Sequence, residues 1–169
     1  MINLVEAVKL KSILGKKTQE LVSELHRSAF VTVEKGQAPK TSNRALSLIE
    51  ADLAQVRLDT RTLDRLVYEA NIQNTVDFKG QKLALVEAIE LATQLRAEAD
   101  LCKDFSMREK ESVRFGYGEN TMLYEIALYE PDEYRERATQ LEKDAHKLSN
   151  LINSKNYSIQ INFDDSRYF

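Results

Sequence analysis

The side chains best able to do chemistry in this chain are few and widely spaced. His26 and His146 are the only histidines, and His146 follows Glu142 by four residues. On a helix that spacing puts both on one face, where they could share a metal, but two donors do not complete a site. Lys143 and Lys147 beside them describe a solvated face instead. His26, next to Arg27, suits the negative end of a helix dipole. Cys102 is the single cysteine, so no intrachain disulfide and no cysteine-based metal site can form. Nucleophile, base and orienting group cannot be assembled from this set, so no catalytic residue, metal site or cofactor is expected.

Two further constellations carry polar chemistry. Arg114-Phe115-Gly116-Tyr117-Gly118 looks like the basic, glycine and aromatic core of an RNA-recognition strand. The second aromatic strand and the alternating β-α order of that fold are missing, and no helix start follows to make a phosphate cradle. The segment reads as a loop, in which Arg108, Lys110 and Arg114 are the candidate anion contacts. The second set is Asn71, Asn74, Glu125, Asn153 and Asn156. These residues fall at the ends of expected elements, where amides cap helices and satisfy strand edges. Their functional alternative is a polar pocket at a junction of helices and strands.

Composition narrows the partners. A formal net charge of -3 over 169 residues lacks the concentrated positive field that phosphate-backbone binding needs, so no nucleic-acid partner is expected. Hydrophobic residues at 43% and charged residues at 30%, with five glycines and two prolines, suit a soluble helical protein. Glu6 and Lys9 interrupt the N-terminal apolar residues before they could form a secretory signal. No apolar run reaches the ~18 residues of a membrane span. A cytoplasmic location is the expectation.

The elements that must position these residues are mostly helices. Leu46, Ile49, Leu53, Val56, Thr60, Leu63, Val67 and Ala70 follow each other at three- and four-residue steps. That is the seam of a long helix packed lengthwise on another. The spacing predicts four helices, over about 3–28, 41–73, 82–105 and 131–156. Asn3 and Glu6 have capping-box spacing at the first. The third carries the small-residue stripe Leu85, Ala88, Ala92, Leu95, Ala99 and Cys102, with Cys102 as a core side chain. Pro131, Asp132 and Glu133 open the fourth, whose stripe is Tyr134, Ala138, Leu141, Ala145, Leu148 and Ile152. Small β elements are expected near 31–33, 121–129 and 157–162, a mobile loop over 106–120, and a loose tail over 164–169. The fold class is therefore mainly α, one elongated domain over 1–169 built as antiparallel coiled-coil hairpins or a bundle.

Several short motifs resemble those of an uncharacterised bacterial family of septicolysin-like helical proteins. They are Tyr124-Glu125-Ile126 ahead of the fourth helix, the Asn71 to Thr75 segment followed by Gly80, and Ile152-Asn153-Ser154-Lys155-Asn156-Tyr157. The last is similar to the family's Ile-Gln-x-x-Asn-Trp ending, with Asn153 for Gln and Tyr157 for Trp. The family's Arg-Asp pair on the third helix has no counterpart near Leu91-Ala92-Thr93. The resemblance implies a mostly helical homo-oligomer, and the family label implies a membrane-active role. The expected function is a non-enzymatic oligomeric scaffold or interaction protein. The alternatives are a membrane-active septicolysin-like protein and a small-ligand-binding protein or enzyme using the polar junction.

Overall fold

The structure, a computed structural model, describes residues 1–40, 44–116 and 122–168. In chain order its elements are β1 (Ile2–Asn3), α1 (Leu4–Ala29), α2 (Leu46–Gln73), β2 (Thr75–Phe78), β3 (Gln81–Ala84), α3 (Leu85–Ser106), β4 (Glu111–Phe115), β5 (Met122–Ile126), α4 (Pro131–Ser158) and β6 (Gln160–Ile161). The protein is mainly helical, with three antiparallel pairs of short strands: β1 with β6, β2 with β3, and β4 with β5. Among the described residues, no helix is long and apolar enough to cross a membrane. The chain, expected as one elongated domain, divides into two compact units, 1–73 with 155–169 and 74–154.

The first unit is built on α1 and α2. The capping box forms as its spacing predicts: the Glu6 amide donates to Asn3 Oδ1 at 2.9 Å, and the Asn3 amide donates to Glu6 Oε2 at 2.8 Å. Leu4, Ala7, Leu10, Leu14 and Leu21 of α1 are buried, as are Ile49, Leu53, Val56, Leu63, Val67 and Ala70 of α2. Each large aliphatic side chain so covered contributes about 1.5–3 kcal/mol. The polar interruptions of the seam are accommodated. Lys11 pairs with Asp64 at 2.6 Å, and the Thr18 and Thr60 hydroxyls donate to the carbonyls of Leu14 and Val56.

Three boundaries differ from expectation in this unit. Val31-Thr32-Val33 forms no strand, because β-branched residues without a neighbouring strand have nothing to pair with. The expected start of α2 at 41 lies outside the described residues, and the helix runs from Leu46. The strand expected over 157–162 shrinks to β6, since α4 continues to Ser158. The tail is also tied down. Phe163 is buried, and the Tyr168 hydroxyl donates to Asp59 Oδ2 at 2.5 Å. Burial, with Asp59 next to it, pushes the Tyr168 phenol up to about 12.

The second unit opens on a hairpin. β2 and β3 pair from Thr75 with Ala84 to Phe78 with Gln81, joined by Lys79 and Gly80. Both linking residues have positive φ, 49° and 78°, which matches the twist of a tight two-residue hairpin turn. Because Gln81–Ala84 is strand, α3 starts at Leu85 rather than Lys82. The Leu85 amide donates to the Asn74 carbonyl at 2.9 Å, fastening the helix start to the base of the hairpin.

Helix α3 buries Leu85, Ala88, Ala92, Ala99 and Cys102, so the cysteine is a core side chain as its stripe position predicts. Within this unit α4 buries Ala138, Asp144, Ala145, Leu148 and Ile152. Ion pairs Lys103–Glu142 and Arg137–Glu98 link the two helices. Asp144 is the buried acid of this core. Lys79 from the hairpin turn reaches it, and Gln140 donates to its Oδ1 at 3.2 Å. The Lys79 ammonium holds the Asp144 carboxyl below the ordinary carboxylate range.

The segment over 106–120, expected as a loop, contains β4. Glu111 to Phe115 pair with Ile126 to Met122 in a second antiparallel hairpin. Its tip, 117–121, lies outside the described residues.

Candidate interaction site

The alternation of side chains along β4 and β5 sorts this second hairpin into two unlike faces. Successive residues of a strand point to opposite sides, so register fixes which residues share a face. Val113 opposes Tyr124, Phe115 opposes Met122, and Glu111 opposes Ile126. One face is thus apolar except for Glu111 at its end. The other carries Ser112, Arg114, Leu123 and Glu125. On it the Arg114 guanidinium donates to Glu125 Oε2 through Nη2 at 2.6 Å and Nε at 3.0 Å.

The apolar face is exposed. Val113, Phe115, Met122, Tyr124 and Ile126 keep between 47% and 90% of their surface open, with Phe115 at the upper limit. Leu128 and Met107, near the base, are also open. A two-stranded hairpin with no layer packed on it is marginal in water. What holds this one in place lies at its base. The rings of Phe105, Tyr129 and Tyr134 gather with centroids 4.8–5.3 Å apart, and the Tyr129 hydroxyl donates to the Phe105 carbonyl at 3.0 Å. Lys110 Nζ donates to the Tyr129 carbonyl at 2.8 Å and to Glu130 at 2.5 Å. The Ala127 amide extends the ladder to the Lys110 carbonyl at 2.9 Å. The hairpin is anchored at its root while its apolar side chains remain in solvent.

These contacts assign the three candidate anion-binding residues. Arg114 and Lys110 are already matched by Glu125 and Glu130, so the carboxylates they hold are the chain's own. Arg108 lines a hollow of about 490 Å³ with Leu101, Phe105 and three acids, Asp104, Glu109 and Glu125. The amide set does not share one such hollow in the second unit. Glu125 lines the hollow beside Arg108, whereas Asn153 lines a separate cleft with Ile89, Thr93, Arg96 and Ser149. Asn74 offers its carbonyl to α3. Asn71 and Asn156 belong to the first unit, and the buried Oδ1 of Asn156 accepts no hydrogen bond among the described residues.

His146 is exposed and lines a cleft of about 260 Å³ with Arg96, Asp100 and Glu142, and Glu142 is bonded to Lys103. His26 is exposed on the last turn of α1. Among the described residues, no group of three or more His, Cys, Asp or Glu is placed to hold a metal ion.

No family model matches the chain, and no curated protein matches it. The fold is similar to that of a crystal structure described as a functionally unknown conserved protein from Corynebacterium diphtheriae. The TM-score is 0.61 at 19% sequence identity, over 95% of this chain and 98% of that one. At that identity the likeness establishes a shared fold. The feature of the present chain that sequence reasoning missed is the β4–β5 hairpin with its exposed apolar face. Its signal was present: Val113 and Phe115 alternate with Ser112 and Arg114, and β5 alternates across from them.

Proposed function

We propose that this protein is a non-enzymatic, self-associating helical scaffold or interaction protein, whose long helices form antiparallel coiled-coil hairpins. One observation carries the reading: the β4–β5 hairpin presents a row of five apolar side chains to solvent. Such a surface is costly to leave open and is the usual mark of a protein contact. Helix seams support the same reading, since long helices with small residues permit close lengthwise packing.

Light scattering or sedimentation across a dilution series tests this. The expected result is a mass of at least two chains at micromolar concentration, falling towards one chain on dilution. A single-chain mass throughout would overturn the proposal.

A further inference from the structure

The apolar face of the β4–β5 hairpin leaves about half or more of each side chain open to solvent. Three properties of the face bear on what covers it. The first is area. Given the exposures of Val113, Phe115, Met122, Tyr124 and Ile126, the face offers on the order of 600 Å² of mostly apolar surface, aromatic rings contributing most. That is at the top of what monomeric proteins leave open. Two such faces laid together would remove about 1,200 Å², the lower bound for a specific protein interface.

The second is charge. Membrane surfaces and nucleic acids are recognised through unpaired cations beside the apolar patch. Here Lys110 and Arg114 are each held by a carboxylate, and among the described residues of the two strands the charge on the apolar face is the acid Glu111. Anionic lipid and phosphate are therefore poor matches. The third is self-complementarity. Val113 and Tyr124 sit at the middle of the face, while Glu111 is at one end. A two-fold axis through the middle lays apolar residues on apolar residues and puts the two Glu111 carboxylates at opposite ends. That is the geometry an isologous contact requires.

We propose that the occupant is the same face of a second copy of this chain, the two hairpins stacking through Val113, Phe115, Met122, Tyr124 and Ile126. This rests on the reading of the protein as self-associating and names the surface that does it. Ser112, Arg114, Leu123 and Glu125 face outwards in the assembly.

Charge reversal at the centre of the face tests it, with full-length protein. Tyr124→Glu and Tyr124→Lys each place a like-charged pair at the two-fold axis and should weaken association about 100-fold. Mixing the two variants should restore association, because opposite charges then meet. Leu123→Lys, on the other face, should change it less than about 3-fold. Val113→Glu repeats the test at the neighbouring position, and circular dichroism checks that helix content is kept. Association unaffected by Tyr124→Glu and Val113→Glu would overturn this assignment while leaving self-association standing. Two monomeric Tyr124 variants that fail to recover on mixing would overturn the face-to-face contact. A wild-type chain that is monomeric at every concentration would overturn both proposals together.

Discussion

The two hairpins of the second unit are made of similar parts and are treated oppositely by the fold. In the first, β2–β3, Val76 and Phe78 are buried and the turn residue Lys79 is bound to the buried Asp144. In the second, β4–β5, Phe115 is 90% exposed against 8% for Phe78. Both have strands of four or five residues, and the first strand of each, β2 and β4, alternates polar with apolar side chains. A hairpin gains stability only from what covers its apolar face. The first finds that cover in its own unit, so it belongs to the core. The second has a root and, among the described residues, no cover, which is what the proposed contact with a second copy would supply.

The largest expected effect breaks that contrast directly. Phe78→Ala removes a buried ring and should cost about 3 kcal/mol of stability, read by urea denaturation. Phe115→Ala, with the same atoms deleted, should change the stability of the dissociated chain by less than about 0.5 kcal/mol. An equal loss from both would mean that β4–β5 is covered within the chain. The comparison needs a protein concentration low enough to keep the chains apart, since association adds its own stabilisation.

The same contrast explains what the sequence discloses and what it withholds. A capping box at Asn3 and Glu6, a seam from Ile49 to Ala70 and a core Cys102 are all legible, because helical periodicity extends over many residues and local spacing decides them. The strand pairs are not. Thr75 to Phe78 and Gln81 to Ala84 are four residues each, too short for a periodic pattern to separate them from a helix end or a turn. At Val31-Thr32-Val33 propensity favours a strand that the fold does not use, whereas Glu111 and Arg114 mask one that it does. Pairing is a non-local property, settled by which segments meet. Of the candidate site residues, Glu125, Lys110 and Arg114 were found as polar residues of interest, but their partners came only from the register of β4 on β5. The apolar side chains that carry the proposal look like core residues in the sequence, and only their exposure says otherwise.

A smaller effect is expected at the latch of the first hairpin. Lys79→Met leaves the Asp144 carboxylate buried with Gln140 as its remaining donor, at a cost of about 1–2 kcal/mol near neutral pH. The folded carboxyl sits below its unfolded value of about 3.9, so the pair stabilises the fold above that pH. That contribution is lost as the pH falls through the folded value. Wild type and Lys79→Met should therefore differ most at neutral pH and converge in acid, as followed by thermal unfolding at a series of pH values. A difference that grew in acid would reverse the assignment.

The smallest effect asks which face of the second hairpin stays in water. Arg114 and Glu125 keep 59% and 50% of their side-chain surface exposed. An exposed cross-strand ion pair is worth about 0.2–1 kcal/mol and is screened by salt. A double-mutant cycle with Arg114→Gln and Glu125→Gln should return a coupling in that range. Because the proposed stacking leaves this face outwards, the coupling should be the same in the associated and the dissociated protein, and should shrink on adding salt in both. Burial of the pair in the assembly would instead make removal of one partner far more costly than removal of both. A coupling that rose well above 1 kcal/mol on association, insensitive to salt, would show that the polar face is the one in contact. The apolar row from Val113 to Ile126 would then need a different cover.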